Sequence, residues 1–285
     1  MYHIIVPVDF SEEALKGLEL AILIAKKIEC EIQMVYIQKK SLDYNPGTKD
    51  GEYKFAEKKF KEIVKTYQPL LPKSIKLGYI IKSGRIYREV VNQAESFEES
   101  FIVGSTHGAS GFEQFFIGSN AFKIVSATKR PVITMQGSKL PHTIKKIVLP
   151  LDITVDTRQK VPFTADVAKW FGAEVHVVTV TSYQSEDAVR KLNAYASQVC
   201  EYLESRGIKN SKEMLVGANH TDIILDYAEK VKASMISIMT EQVVDVSNFV
   251  LGSFAQQMLN KSPIPVICMN PKELHVSGVF STHGG

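Results

Sequence analysis

The sequence predicts an α/β protein of two tandem, doubly wound, five-stranded parallel-sheet domains. Short apolar runs alternate along the chain with segments of helical period, which is typical of a parallel sheet covered by helices on both faces. The chain also repeats itself: "IIVPVDFS" at 4–11 returns as "IVLPLDIT" at 147–154, and "CEIQMVYI" at 30–37 matches "AEVHVVTV" at 173–180. A repeat of this length predicts two homologous halves.

The segment between the halves, "QGSKLPHTIKK" at 136–146, has the composition of a linker. We therefore expect a first domain at 1–138, a second at 144–271 and a tail at 272–285. "IGSNAF" and "RPVITM" in the first domain match "LGSFAQ" and "IPVICM" in the second, 134 residues later. Each half has an ordinary domain size.

The elements of the first half follow in order. "HIIVPV" predicts a strand, and Ser11 caps the helix that follows it. A strand at 30–37 leads through a polar loop at 38–51 into a second helix. The residues expected on the buried face of that helix are Tyr53, Ala56, Phe60, Ile63, Val64 and Tyr67. "LGYIIKSG", "IYREVVNQAE", "SFIVGS", "SNAFKIVSAT" and "PVITMQ" continue the alternation, and the second half predicts strands near 146–151, 173–180, 212–217, 234–239 and 264–269.

Composition excludes several classes of protein. Lys and Arg exceed Asp and Glu by only three, which gives no field to attract nucleic acid or an anionic membrane. The three cysteines are too few and too scattered for a disulfide framework or a four-ligand zinc site. No leader pattern and no apolar run of bilayer length is seen. We expect a cytoplasmic protein without a membrane or nucleic-acid partner.

The stretch "GSTHGASGFEQFFIGS" at 104–119 predicts a phosphate site where the fourth strand ends. Glycine backbone at Gly108 lets an anion approach N–H groups, and Gly118 and Ser119 open a helix at the positive end of its dipole. Turn-forming glycines and a capping serine are the alternative interpretation. The P-loop and the dinucleotide fingerprint do not match, because the first lacks its lysine and the second would follow strand 1.

These residues resemble the universal stress protein family in its tandem form, over nearly all of residues 1–271. Nucleotide-binding members have a G-x2-G-x9-G-[S/T] signature, whose later part matches Gly108, Gly118 and Ser119, while Ser105 stands at the first glycine. The resemblance implies a Rossmann-like fold related to adenine nucleotide alpha hydrolases. It also implies that the last strands pair, "PVITMQ" with "PVICMN", to form an internal pseudo-dimer; whether the chain dimerises further stays open.

The resemblance further implies an adenine nucleotide, ATP with Mg²⁺, in the first domain. Carboxylate and hydroxyl groups suit ribose or adenine, an apolar wall suits the base, and amides suit the phosphates. The site residues it implies are Pro7, Asp9, Ile37, Ser105, Thr106, His107, Gly108, Gly118, Ser119 and Asn120. Asp9 could instead only support the turn into the first helix. No protein metal ligands and no catalytic residues are predicted.

The second copy predicts a degenerate site. In "MTEQVVDVSNFVLGS", Met239, Glu241 and Gln242 stand where the first copy has Ser105, His107 and Gly108. Glu241 and Asp245 bring negative charge towards the phosphate position, so we expect this domain not to bind ATP in the same manner. A smaller adenosine-like ligand there stays open.

The predicted function is a stress-associated regulatory protein that binds ATP at one competent site. No general base or arginine finger is visible, so the chain is not predicted to be an enzyme, although weak ATPase activity stays open. Two rival hypotheses are a scaffold that binds no nucleotide and acts through an unidentified protein partner, and a nucleotide hydrolase or adenylyl transferase.

Overall fold

The computed structural model describes residues 1–38, 46–106, 118–136, 140–154, 156–182, 185–240, 242–245 and 248–271. Strands and helices alternate through the first half. Its strands are β1 (Tyr2–Pro7), β2 (Cys30–Gln38), β3 (Leu77–Ser83), β4 (Ser100–Ser105) and β5 (Val132–Met135). Its helices are α1 (Glu12–Ala25), α2 (Pro46–Tyr67), α3 (Ile86–Glu95) and α4 (Ser119–Ala127), and a 3₁₀ turn follows α2 at Gln68–Leu70.

The second half repeats this order, and its described residues also include a short hairpin. Its strands are β6 (Lys146–Leu151), β7 (Glu174–Thr181), β8 (Asn210–Val216), β9 (Met235–Met239), β10 (Gln242–Asp245), β11 (Asn248–Leu251) and β12 (Val266–Met269). Its helices are α5 (Val161–Phe171), α6 (Glu186–Ser205), α7 (His220–Lys230) and α8 (Ser253–Lys261), and a 3₁₀ turn at Asp156–Arg158 precedes α5.

A single ten-stranded sheet runs through both halves in the order β3-β2-β1-β4-β5-β12-β9-β6-β7-β8. Neighbouring strands are parallel within each half, and β5 and β12 pair antiparallel at the centre, with Ile133 opposite Ile267. The predicted α/β fold and the predicted pairing of "PVITMQ" with "PVICMN" are confirmed. Because the central pair is antiparallel, the carboxyl ends of the strands lie at opposite edges of the sheet in the two halves.

The helices cover both faces of this sheet. On one face, α1, α2, α5 and α6 bury an apolar cluster that includes Leu18, Phe60 and Val199. On the other face, α3, α4, α7 and α8 bury a second cluster that includes Val90 and Met258. Strand residues alternate between the two clusters, which explains why the strands read as nearly continuous apolar runs.

Side chains reinforce the junction between the halves. Phe101 lies 5.5 Å from Phe163 and 5.8 Å from Trp170, measured between ring centroids. On the opposite face, the amide nitrogen of Asn270 donates to the backbone carbonyls of Val125 and Thr128, each at 2.7 Å. These carbonyls belong to the last turn of α4 and its cap, where no intrahelical donor remains.

Two local predictions were wrong, the start of α2 and the burial of Tyr53. Helix α2 begins at Pro46, inside the expected loop at 38–51, because proline is well suited to the first helical position. Tyr53, expected on the buried face of α2, is 45% exposed. The expected degenerate loop contains the antiparallel hairpin β10–β11, and β11 lies against α4 of the first half.

Gly17 sets how closely α1 approaches the end of β4. A Cβ atom built at this position would lie 3.0 Å from Gly104 Cα and 3.0 Å from the Ser105 backbone nitrogen. Real Cβ atoms are seldom this close to backbone atoms, so only glycine fits without movement of the helix or the strand. The contact places the first turns of α1 beside the carboxyl end of β4.

We expect Gly17→Ala to lower the free energy of unfolding by about 1–3 kcal/mol, because the added methyl group overpacks against backbone. Gly51→Ala in α2 is the matched control, since nothing lies within 4 Å of its Cβ position. It should raise the free energy of unfolding by about 0.5–1 kcal/mol through helix propensity. Urea unfolding measures both, and a stabilised Gly17→Ala protein would contradict the close contact.

Candidate functional site

A cavity of about 540 Å³ opens at the carboxyl ends of β1, β2 and β4. This is the edge where open parallel sheets bind ligands. Eight of the predicted site residues line it: Pro7, Asp9, Ile37, Ser105, Thr106, Gly118, Ser119 and Asn120. The other two, His107 and Gly108, lie outside the described residues. Residues that are distant in sequence therefore converge on one cavity.

The Asp9 carboxylate is fixed by the turn into α1. Its Oδ1 accepts hydrogen bonds from the Ser11 backbone nitrogen, at 3.0 Å, and from the Ser11 hydroxyl. The same hydroxyl accepts from the Ala14 nitrogen and so caps α1, as the sequence predicts. Asp9 therefore serves the turn and also lines the cavity, which joins the two interpretations offered for it.

Phe10 adopts a left-handed backbone conformation, with φ of 66°. This conformation is strained for a bulky residue, and packing compensates for the strain. The Phe10 ring stacks on Tyr36 at 4.9 Å and meets Phe60 edge-on at 5.0 Å. The strained turn and the aromatic contacts together hold the β1–α1 loop against the end of β2.

Sequence reasoning missed Tyr36 and Glu52, which both line the cavity. The Tyr36 hydroxyl donates a 2.8 Å hydrogen bond to Glu52 Oε1, which connects β2 to α2. Burial and this carboxylate raise the pKa of Tyr36 to about 12, so the phenol stays protonated. Glu52 was missed because the expected helix was taken to begin only after residue 51, so that its start was not placed beside β2. Tyr36 precedes Ile37 and could have been found from the end of the strand.

The start of α4 presents its first residues to the cavity. Gly118 is the N-cap residue and has no side chain that could accept from the first-turn amides. The Gly118 nitrogen itself donates to the Thr106 carbonyl at 2.7 Å, which anchors the helix to the end of β4. The amides of the first helical turn have no intrahelical partner and lie at the positive end of the helix dipole, which favours negative charge.

The lining has a defined charge distribution. Asp9 and Glu52 are acidic, and none of the described lining residues is Lys or Arg. Among the described residues, no cluster of His, Cys, Asp and Glu could hold a metal ion by itself. A ligand here would meet carboxylates at one part of the wall and helix amides at another.

The second half has a corresponding but smaller cavity, of about 290 Å³. Asp152 repeats the geometry of Asp9, because its Oδ1 accepts from the Thr154 nitrogen at 2.7 Å and from the Thr154 hydroxyl. Phe254 lines this cavity at the repeat position of Asn120. Glu241 lies outside the described residues, and Gln242 is in strand β10. An aromatic ring thus stands where the first cavity has polar groups at a helix start.

Comparison with known proteins identifies the family. The family model described as the universal stress protein family matches the chain twice, at residues 1–135 and 143–270. The chain belongs to the universal stress protein family. Both halves are copies of this family's domain, which agrees with the resemblance found in the sequence.

Individual relatives agree with this assignment. Universal stress protein MJ0531 of Methanocaldococcus jannaschii is 26% identical over 151 residues, which cover 45% of this chain and 84% of that protein. A crystal structure of a universal stress protein from Archaeoglobus fulgidus DSM 4304 superimposes with a TM-score of 0.77 at 21% identity, covering 94% of this chain and 98% of that one. A crystal structure of a putative universal stress protein from Pseudomonas aeruginosa UCBPP-PA14 superimposes with a TM-score of 0.62 at 15% identity, covering 94% of this chain and 93% of that one. These two structures share the fold over almost the whole chain.

Within the part of the chain that the structure describes, no helix is both long enough and apolar enough to span a bilayer.

We expect Tyr36→Phe to lower the free energy of unfolding by about 1 kcal/mol, because it removes the hydroxyl that bonds Glu52 and keeps the ring that stacks on Phe10. Tyr53→Phe, at an exposed position of α2 next to Glu52, should stay within about 0.5 kcal/mol of the parent protein. Urea unfolding compares the two variants. Equal effects would show that the Tyr36–Glu52 bond does not stabilise the site.

Proposed function

We propose that the first domain binds an adenine nucleotide, ATP with Mg²⁺, and that the protein acts as a stress-response regulator through this binding. The observation that carries the proposal is the convergence of Asp9 and the uncapped start of α4 on one cavity. The carboxylate accepts from ribose hydroxyls or the adenine amine, and the helix amides donate to the phosphate oxygens. The family assignment supports a role in stress responses.

The apolar lining supports the position of the base. Ile37, Val35 and Ile86 provide apolar wall near the ends of β2 and β3. Asp9 and Glu52 are acidic, so the phosphates are placed at the start of α4, whose dipole favours negative charge. Mg²⁺ would neutralise the phosphates, since none of the described lining residues is cationic.

Two differences favour a single competent site. The second cavity has about half the volume of the first, 290 against 540 Å³. Phe254 replaces the amide side chain of Asn120, and a phenyl ring cannot donate hydrogen bonds to phosphate. We therefore assign ATP to the first domain alone. A scaffold role or slow hydrolysis are the alternatives that the experiment separates.

Calorimetric titration with Mg-ATP tests the proposal on a matched pair of variants. Asp9→Ala should weaken binding about 10–100-fold, because it removes a charged hydrogen-bond acceptor from the ligand. Asp152→Ala removes the equivalent carboxylate, with the same two local bonds, from the second domain. It should leave the affinity unchanged, because ATP is assigned to the other cavity.

The remaining outcomes distinguish the rivals. No heat from the parent protein would establish the scaffold hypothesis against nucleotide binding. ADP accumulating in the cell of the calorimeter would identify a hydrolase. Loss of binding in Asp152→Ala but not in Asp9→Ala would place the nucleotide in the second domain and contradict the assignment. Repeating the titration with EDTA in place of Mg²⁺ should weaken ATP binding.

A further inference from the structure

Lys160 is a buried amine in the wall of the second cavity. It is 2% exposed, and among the described residues it is the one Lys, Arg, Asp or Glu that is buried. Its Nζ donates to the Thr157 carbonyl at 2.5 Å and to the Thr157 hydroxyl at 3.3 Å. Within the described ranges, no carboxylate oxygen lies within the 4.0 Å of an ion pair to Nζ. Among the described residues, the buried amine therefore has no direct counter-ion.

Burial of this kind favours the uncharged amine. Desolvation lowers the pKa of Lys160 to about 7, and the Asp152 carboxylate, which acts in the opposite direction, only partly offsets it. Lys160 is also the N-cap residue of α5, and its Nζ bonds the preceding turn, so a positive charge there would meet the positive end of the helix dipole. A neutral amine at this position has its two N–H groups bonded to Thr157 and its lone pair unused.

The repeat shows that this amine is specific to the second domain. In the alignment of the two halves, Lys160 stands at the position of Gly17, 143 residues earlier. Gly17 must lack a side chain because α1 packs against β4 there. In the second half, the 3₁₀ turn at 156–158 precedes a helix that begins only at Val161, and this leaves room for a long side chain. The second cavity therefore contains a primary amine, whereas none of the described lining residues of the first cavity is a lysine.

The other lining residues restrict the ligand. Among the described lining residues, Asp152 and Asp156 are acidic, and His220 contributes an imidazole, bonded to the Ser182 hydroxyl at 2.9 Å. Phe254 stands at the helix start where the first cavity has Asn120, so the two carboxylates face an anionic ligand without that polar group to offset them. Much of the remaining wall is apolar, and a volume of about 290 Å³ admits only a small molecule. The occupant that fits is small and uncharged.

We propose that the second-domain cavity is a binding site for a small uncharged aldehyde, which Lys160 holds reversibly as an imine. The Nζ lone pair attacks the carbonyl carbon, and a proton moves from nitrogen to the carbonyl oxygen to give a carbinolamine. Loss of water, with a proton taken from solvent, leaves the protonated imine. That cation retains one N–H for the Thr157 carbonyl, and the nearby Asp152 carboxylate stabilises its charge.

Reductive trapping of the full chain tests the proposal. Propanal is the probe, sodium cyanoborohydride at pH 7 supplies the hydride that converts the imine to a stable secondary amine, and mass spectrometry of peptides locates the label. About half of a group with a pKa near 7 is neutral at that pH, against less than one part in 10³ of an ordinary lysine. We expect Lys160 to be labelled at least about ten times faster than the exposed Lys169 of α5.

Three comparisons make the outcome decisive. In urea, the preference for Lys160 should disappear, because it depends on the folded environment. Labelling of Lys160 should rise as the pH increases from 5.5 to 8, since its neutral fraction rises through a pKa of about 7. Lys160→Met should lose this label, whereas Lys169→Met should keep it.

Labelling of Lys160 no faster than Lys169 in the folded parent protein would overturn the proposal, and this comparison holds even where Lys160→Met fails to fold. Anionic glyoxylate should label Lys160 more slowly than propanal does, because Asp152 and Asp156 repel it. Faster labelling by glyoxylate would overturn the assignment to uncharged ligands.

Discussion

The antiparallel pairing of β5 with β12 is the interaction on which the rest of the structure depends. It joins two five-stranded sheets into one. It also pairs backbone N–H and C=O groups of two strands that would otherwise be exposed edges of their sheets. Aromatic rings around Phe101 and Trp170 cover one face of this junction, and the Asn270 amide secures the other. Because the pairing reverses strand direction, the two cavities open at opposite edges of the sheet.

The fold could be predicted from the sequence because its signals are redundant. The repeat, the apolar strands and the capped helix at Ser11 each predict the same architecture, and local preferences agree with the overall fold.

The lining of the first cavity was predictable where it follows strand ends, as at Asp9 and Thr106. Glu52 was not, because its role depends on where α2 begins, and Phe10 was not, because its positive φ is imposed by packing against Tyr36. The hairpin β10–β11 was not predicted, because its segment was interpreted as a loop.

The two halves show how one scaffold accommodates two sites. Asp9 and Asp152 make the same turn bonds, so the β1–α1 and β6–α5 connections preserve a carboxylate at each cavity. The divergence lies in what surrounds them. A glycine contact in one half corresponds to a buried lysine in the other, and a polar side chain at one helix start corresponds to a phenyl ring. The strands are retained because they form the common core, whereas the connections are free to change.

Helix α4 contacts residues that belong to the surroundings of both cavities. Its first turn lies at the larger cavity, while its last carbonyls bond Asn270, which follows β12. Asn270 also accepts from the Thr240 hydroxyl, and Thr240 lines the smaller cavity. Helix α4 therefore lines the first cavity at its N-terminal end. At its C-terminal end it is connected, through the Asn270 side chain and Thr240, to the wall of the second cavity. The Asn270 side chain bonds groups of both halves, so the walls of the two cavities share a hydrogen-bonded connection across the centre of the sheet although they face away from each other.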